Sequence, residues 1–269
     1  TDGVADGLLP STKLIFAYYD SRCDASEGLA GALSVTRSAF ESDISAIIGA
    51  GCSGASVPAS QVAALEQVPI VSPSSLSPDF SEGKSHPYFL RTAPSDSFVG
   101  TAMVDVLTTL FNYSSVALAY GSDAYAAGGG GAFAAASASA GLTISVTVRF
   151  THNAADFSQE HRQLQQSRAR VIVLFSQMTD GVNFVGSGLS AGVGGEGYLW
   201  LSGFPAVALP ANWAGDPAEH QRAFKGFMAL EPSTGQGTAM HTAYLSRRQQ
   251  LPPMVGSDGS CSLETDAMG

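Results

Sequence analysis

The sequence predicts an α/β protein built on parallel sheets. Short β-branched or aromatic runs alternate almost without a break with longer helical stretches, and glycines and prolines punctuate the junctions. Composition agrees. Hydrophobic residues make up 45% and charged residues 13% of the chain, as in a packed globular protein, and 269 residues can bury a large core in one domain or two lobes.

KLIFAYYD, residues 13–20, reads as a first strand because apolar and aromatic residues dominate it, and a helix is expected over residues 25–40. SAIIGAG reads as a strand ending in glycines, residues 58–67 as a helix, and PIVSPSS as the next strand. The loop SPSSLSPDFSEGKSHP then leads to YFLRTAP, a short strand that its proline stops, and to a helix over residues 98–111. A second block repeats the alternation. SSVALAYG, LTISVTVRF, RVIVLFS and GYLWLSG are its strands, with helices over residues 126–140, 156–168 and 181–190 between them. From Phe224 come a strand and turn, a short helix over residues 240–250 and a polar tail that holds Cys261. The pattern divides the chain into a first α/β block at residues 1–94, a second at 95–230 and a remainder at 231–269.

A net charge of -10, with no basic cluster beyond Arg247 and Arg248, disfavours nucleic acid and anionic membrane surfaces as partners. TDGVADGLLP has no basic and then apolar signal pattern and no initiator Met, so a processed or excised piece is expected. The uncharged run at residues 124–148 is long enough to span a bilayer, but its first half is Ala, Gly and Ser, and a helix followed by a strand is the expected reading. GVGGEG at 192–197 follows a helix, the reverse of the dinucleotide context, and GGGG at 128–131 lacks the Lys-Ser/Thr of a P-loop. The five histidines show no ligand spacing with cysteine or acidic residues, so no metal site and no cofactor are expected. NYS at Asn112 is an N-glycosylation sequon at the end of a helix.

Two short stretches hold more chemistry. Cys23 and Cys52, with 28 residues between them, suit a disulfide between neighbouring turns, but the spacing equally allows two buried thiols. Ser53 sits in a glycine-rich turn at a helix start, where its hydroxyl and the backbone N–H groups can hold a carboxylate or simply cap the helix. As a nucleophile it fits poorly: GCSGA departs from G-x-S-x-G at Ala55. A serine hydrolase or amidase is therefore the least favoured reading.

YYDSRCDASEG, IIGAGCSGAS, VPIVSPSSLSP, HPYFLRTAPSD and SSVALAYG, in that order, resemble the ligand-binding ectodomain of family C G-protein-coupled receptors. The likeness is drawn most closely to the type B GABA receptor, with metabotropic glutamate and natriuretic-peptide receptors as relatives. It implies the bilobed type I periplasmic-binding-protein, or Venus-flytrap, fold, here in an apparently truncated copy, with residues 1–94 as the first part of lobe 1, 95–230 as lobe 2 and 231–269 as an incomplete return toward lobe 1. It also implies a non-enzymatic receptor module that closes on a small amino-acid-like or carboxylate ligand, at the extracellular face of a membrane. Any membrane attachment would run through a segment absent from this chain, and a homodimer or heterodimer stays open. A solute-binding protein of an amino-acid transporter is the alternative on the same fold.

The resemblance implies a Cys23–Cys52 disulfide and assigns ligand contacts to Ser53, for an α-carboxylate, and to Ser74 and Ser75, in a loop at a strand's C-terminal end. Asp96 stands where glutamate-type receptors bind the ligand ammonium, and Tyr125 where relatives place an aromatic over the ligand. As bland alternatives, Asp96 can stabilise a helix start and Tyr125 be an ordinary loop residue; Trp200 is either cleft-facing or core. Leu76 stands where relatives carry Ser or Thr, Ala93 where the GABA-type receptor has a histidine, and Gly203 where the glutamate-type receptors carry a second acidic group.

Overall fold

The computed structural model describes residues 16–37, 44–203, 216–230 and 237–250. Two parallel sheets organise them. The first runs β1 (Ile47–Ile48), β2 (Ile70–Ser72), β3 (Phe89–Arg91). The second comprises β4 (Ser115–Gly121), β5 (Thr143–Phe150), β6 (Val171–Phe175), β7 (Leu199–Ser202) and β8 (Phe227–Ala229), in the spatial order β5-β4-β6-β7-β8. Helices α1 (Ala25–Arg37), α2 (Ser53–Leu65), α3 (Asp96–Asp105), α4 (Ala124–Ala140), α5 (Ser158–Ser167), α6 (Met178–Ser190) and α7 (Pro217–Ala223) join or flank the strands. Both sheets belong to one compact unit, Thr1–Glu231, and a second unit, Pro232–Gly269, carries α8 (Ala239–Gln250). Cys261 lies outside the described residues.

The five-stranded sheet is covered on both faces. Val116 and Leu118 of β4 pack with Val173, Phe175, Met103 and Phe133, whereas Ala117 and Ala119 point the other way, toward Ile172, Leu174, Phe184 and Trp200. Successive strand side chains alternate faces, so a strand buried on both sides must be apolar throughout, as VIVLF of β6 is. Trp200 is fully buried against Phe184 in this core, which settles its two readings: it is core and does not face a cleft.

The tetraglycine of α4 has a packing cause. A Cβ at Gly129 would lie 2.5 Å from the Phe175 ring and one at Gly130 2.9 Å from the Tyr120 ring, so only glycine lets this helix lie flat on β4 and β6.

Several expectations are corrected. Residues 16–20 form no strand; instead the Tyr19 ring lies against Gly31 of α1 and its hydroxyl donates to Glu27 at 2.8 Å. Residues 13–15 lie outside the described set. The helix expected over 98–111 begins earlier, because Ser95 caps it by accepting from the Ser97 N–H, and it ends in a π-helical turn, Val106–Leu110. Two elements went unread, the 3₁₀ turn Pro78–Ser81 and α7. Each opens with a proline just after a capping Ser77 or Asp216, a signal that was present in the sequence.

Cys23 and Cys52 form a disulfide, with Cα atoms 5.2 Å apart, within the usual range. It ties the turn before α1 to the N-cap of α2, beside a close helix contact in which a Cβ on Gly28 would strike the Ala55 carbonyl. Alkylation without reductant is expected to label only one of the three cysteines, and Cys52→Ser to lower stability by about 3 kcal/mol. Three labelled thiols would contradict the bridge.

Candidate functional site

The C-terminal ends of β1, β2 and β3 and the first turn of α3 converge on a serine-rich turn, residues 72–77. Ser72 and Ser75 donate their hydroxyls to the Ala50 carbonyl at 2.6 and 3.1 Å, and Ser75 also bonds Ser56 Oγ at 2.7 Å. Ser75 is fully buried, so its hydroxyl holds the turn to the 50–51 backbone. Ser74 is exposed and donates to the Gly51 carbonyl at 2.9 Å. Ser53 is the first residue of α2, with Cys52 as the N-cap, and its Oγ accepts from the Ser77 N–H at 3.1 Å while only 2% exposed. The turn thus reaches Ser53 and Ser75 together, through one hydrogen-bond network.

Arg91, at the end of β3, crosses beneath this turn. It donates to the carbonyls of Ser75 and Ser77 at 3.2 and 2.8 Å and to Ser81 Oγ at 2.7 Å. Asp96 joins the same turn by its backbone, its N–H donating to the Leu76 carbonyl at 3.0 Å. Its carboxylate is 3% exposed, and among the described residues Oδ2 has no hydrogen-bond partner. Burial pushes the Asp96 carboxyl up to about 7, and the Arg91 guanidinium pulls it part of the way back. A buried carboxylate oxygen without a donor is costly, and a cation would relieve the cost.

The five-stranded block contributes Tyr125. Asp123 caps α4 by accepting from the N–H groups of Tyr125 and Ala126, which places Tyr125 in the first helical turn. Its phenol is pushed up first by burial and then by the negative charges of Asp96 and Asp123, so Tyr125 lies within electrostatic reach of both carboxylates. The same helix touches the turn: a Cβ on Gly128 would lie 2.6 Å from Ser77 Oγ and 2.9 Å from Pro78 Cδ. Gly128→Ala is therefore expected to push α4 off the turn and cost about 1–3 kcal/mol. Urea denaturation measures the loss; an unchanged midpoint would contradict this close packing.

Ser53, Ser75, Asp96 and Tyr125 are thus linked through one neighbourhood, and Ser74 lies at its exposed edge. Asn112 stands apart, exposed, in a left-handed conformation after the π-helical turn. A serine–histidine hydrogen bond does occur in this block, but between Ser60 and His86 at 2.7 Å, both buried, and not at Ser53.

Comparison with protein families gives the decisive observation: the model described as "Receptor family ligand binding region" matches residues 4–258. The chain belongs to this family. As a receptor ligand-binding region it is 29% identical to a probable metabotropic glutamate receptor of Caenorhabditis elegans over 140 residues, 49% of this chain and 14% of that protein. Metabotropic glutamate receptor 4 of Macaca fascicularis is 31% identical over 139 residues, 50% of the chain and 15% of the receptor. A glutamate receptor of Oryza sativa subsp. japonica is 26% identical over 197 residues, 72% of the chain and 20% of the receptor. The matches span a fifth of these relatives' lengths or less. Both the receptor-family expectation and the α/β parallel-sheet fold it implied are met.

Two departures of this receptor ligand-binding region gain a physical setting. A Cβ at Gly203 would touch Val99 at 3.4 Å, Met103 at 3.6 Å and the Tyr125 hydroxyl at 3.8 Å, so the position where an acidic group is missing lies beside that phenol. Leu76, which by the resemblance stands where relatives carry Ser or Thr, is half-buried, and its carbonyl accepts from the Asp96 N–H. The sequence reading had not singled out Arg91, which holds the turn from below; a lone arginine at a strand end carries no local motif.

Proposed function

We propose that the chain is the ligand-binding module of a membrane receptor. It takes a small amino-acid-like ligand between the three-stranded and five-stranded blocks, lobe 1 at residues 1–94 and lobe 2 at 95–230. The observation that carries this reading is Asp96, a buried carboxylate with an unpartnered oxygen beside Tyr125. A ligand ammonium brings three N–H donors and a positive charge, which meets both deficits at once. Ser74, at the exposed edge of the turn, and the start of α2 receive the ligand carboxylate, the buried Ser53 and Ser75 support the turn from within instead of touching the ligand, and Tyr125 covers the ligand from the other block. Closure follows if the ligand binds the closed arrangement more tightly than the open one, which is the only way it can shift that population.

An extracellular location fits the Cys23–Cys52 bridge, since disulfides persist in oxidising compartments. Among the described residues no helix is long and apolar enough to cross a membrane. Asn112 is exposed and open to glycosylation in that setting. A homodimer or heterodimer would transmit the closure. The reading is tested by a thermal-shift screen of amino acids, GABA and small carboxylates. A compound that binds the native state raises the melting temperature, and silence across the panel contradicts the proposal.

A further inference from the structure

Asp123, His152 and Asp180 lie far apart in the chain but follow the C-terminal ends of β4, β5 and β6, three neighbouring strands. One ligand atom from each lies within 4.8 Å of the other two. We propose that these three side chains bind one divalent transition-metal ion of the zinc type. The proposal does not rest on the identity of the receptor ligand or on Asp96.

The donors are already oriented. Asp180 is 2% exposed at the start of α6, and its carboxylate accepts from the Asn153 N–H at 3.1 Å and meets His152 Nδ1 at 2.6 Å. The His152 backbone N–H donates to Ser122 Oγ at 2.9 Å, which fixes the loop that carries the imidazole. Asp123 Oδ1 is saturated, accepting from Tyr125 N, Ala126 N and Gln177 Nε2. Asp123 Oδ2 is buried and has no hydrogen-bond partner among the described residues. A His152–Asp180 hydrogen bond by itself accounts for two of the three groups and leaves that second oxygen unpaired.

The donor set selects the ion. One imidazole and two carboxylates suit zinc and its transition-metal neighbours, whereas calcium and magnesium take oxygen ligands almost exclusively. At about 2.1 Å per bond, tetrahedral zinc holds its ligand atoms about 3.4 Å apart, so on binding the wide edges of the triangle close and the 2.6 Å His152–Asp180 contact opens. The His152 side chain is 36% exposed, which gives the ion an entry path and leaves a position for water. Asp123 also caps α4, so its second oxygen can take the ion without giving up the cap.

The test is equilibrium dialysis of the EDTA-treated chain against micromolar zinc, with metal analysis and melting curves. One equivalent of zinc is expected, with a higher melting temperature. His152→Ala and Asp123→Asn are each expected to weaken uptake by about tenfold or more. The asparagine keeps the capping oxygen, so Asp123→Asn should melt without zinc like the parent, whereas His152→Ala also takes a partner from the buried Asp180 and should melt lower; Asp123→Asn therefore separates a lost ligand from a lost fold. No uptake by the parent chain, or undiminished uptake by either variant, overturns the proposal.

Discussion

Asp96→Asn is expected to stabilise the protein at pH 8 and to remove most of its loss of stability between pH 4 and pH 7. Burial raises the Asp96 carboxyl to about 7 from 3.8, so between those values the folded chain holds a proton that the unfolded chain has released. The contribution is therefore fully present below about pH 4. It falls as pH rises toward the folded value, and above about pH 7 it is gone. The full swing is on the order of 4 kcal/mol, from about 1.4 kcal/mol per pKa unit. Asparagine has nearly the same shape and no charge to desolvate, so the variant's profile should be flat over that range apart from other carboxylates. Urea midpoints of both proteins at pH 4.5, 6 and 8 measure the difference. Parallel profiles would show that Asp96 is not strained in the free protein, and the stored cost that a ligand ammonium would relieve would not exist.

Trp200→Ala is expected to cost about 3–5 kcal/mol, among the largest losses any single substitution in this chain should produce. The indole is fully buried in β7, edge-on to Phe184 at 6.1 Å between ring centroids, in the layer that also holds Phe150 and Phe157. Removing it leaves a cavity between the sheet and α6 that such packed neighbours cannot fill by small shifts. Because the substitution lies in the core, it should lower the denaturation midpoint without changing the affinity of any ligand the native state still binds. A loss under about 1 kcal/mol would mean that Trp200 is not core but faces a space that water already fills.

The second block was legible in the sequence because its strands carry their own signal. VIVLF is apolar throughout, as a strand covered on both faces must be, and LTISVTVRF, at the sheet edge, is β-branched and alternates buried or half-buried with exposed residues. The first block was harder. KLIFAYYD has strand composition but, over residues 16–20, leans on α1 through Tyr19, a choice that depends on Gly31 twelve positions later. Periodicity cannot see such a partner. The GGGG run lies inside α4, and the contacts that its first three glycines make with Ser77, Phe175 and Tyr120 exist only in the folded chain.

The candidate site divides in the same way. Ser53, Ser74, Ser75, Asp96 and Tyr125 could be named through a family likeness, because they sit in ordered motifs. Which of their polar atoms are engaged could not, since Ser75 spends its hydroxyl on the 50–51 backbone while Asp96 keeps an oxygen unpaired. The proximity of Asp123, His152 and Asp180 has no signature in local spacing. Residues from three successive strand ends meet only when the sheet forms.

The central claim, that Asp96 receives the amino group of a small ligand, is tested most directly by calorimetric titration with free α-amino acids and with their N-acetyl counterparts. At least one free amino acid should bind, and acetylation, which removes the positive charge and two of the donors, should weaken it at least about a hundredfold, as should Asp96→Asn. Equal affinity for the acetylated compound, or undiminished binding to the asparagine variant, would contradict the account.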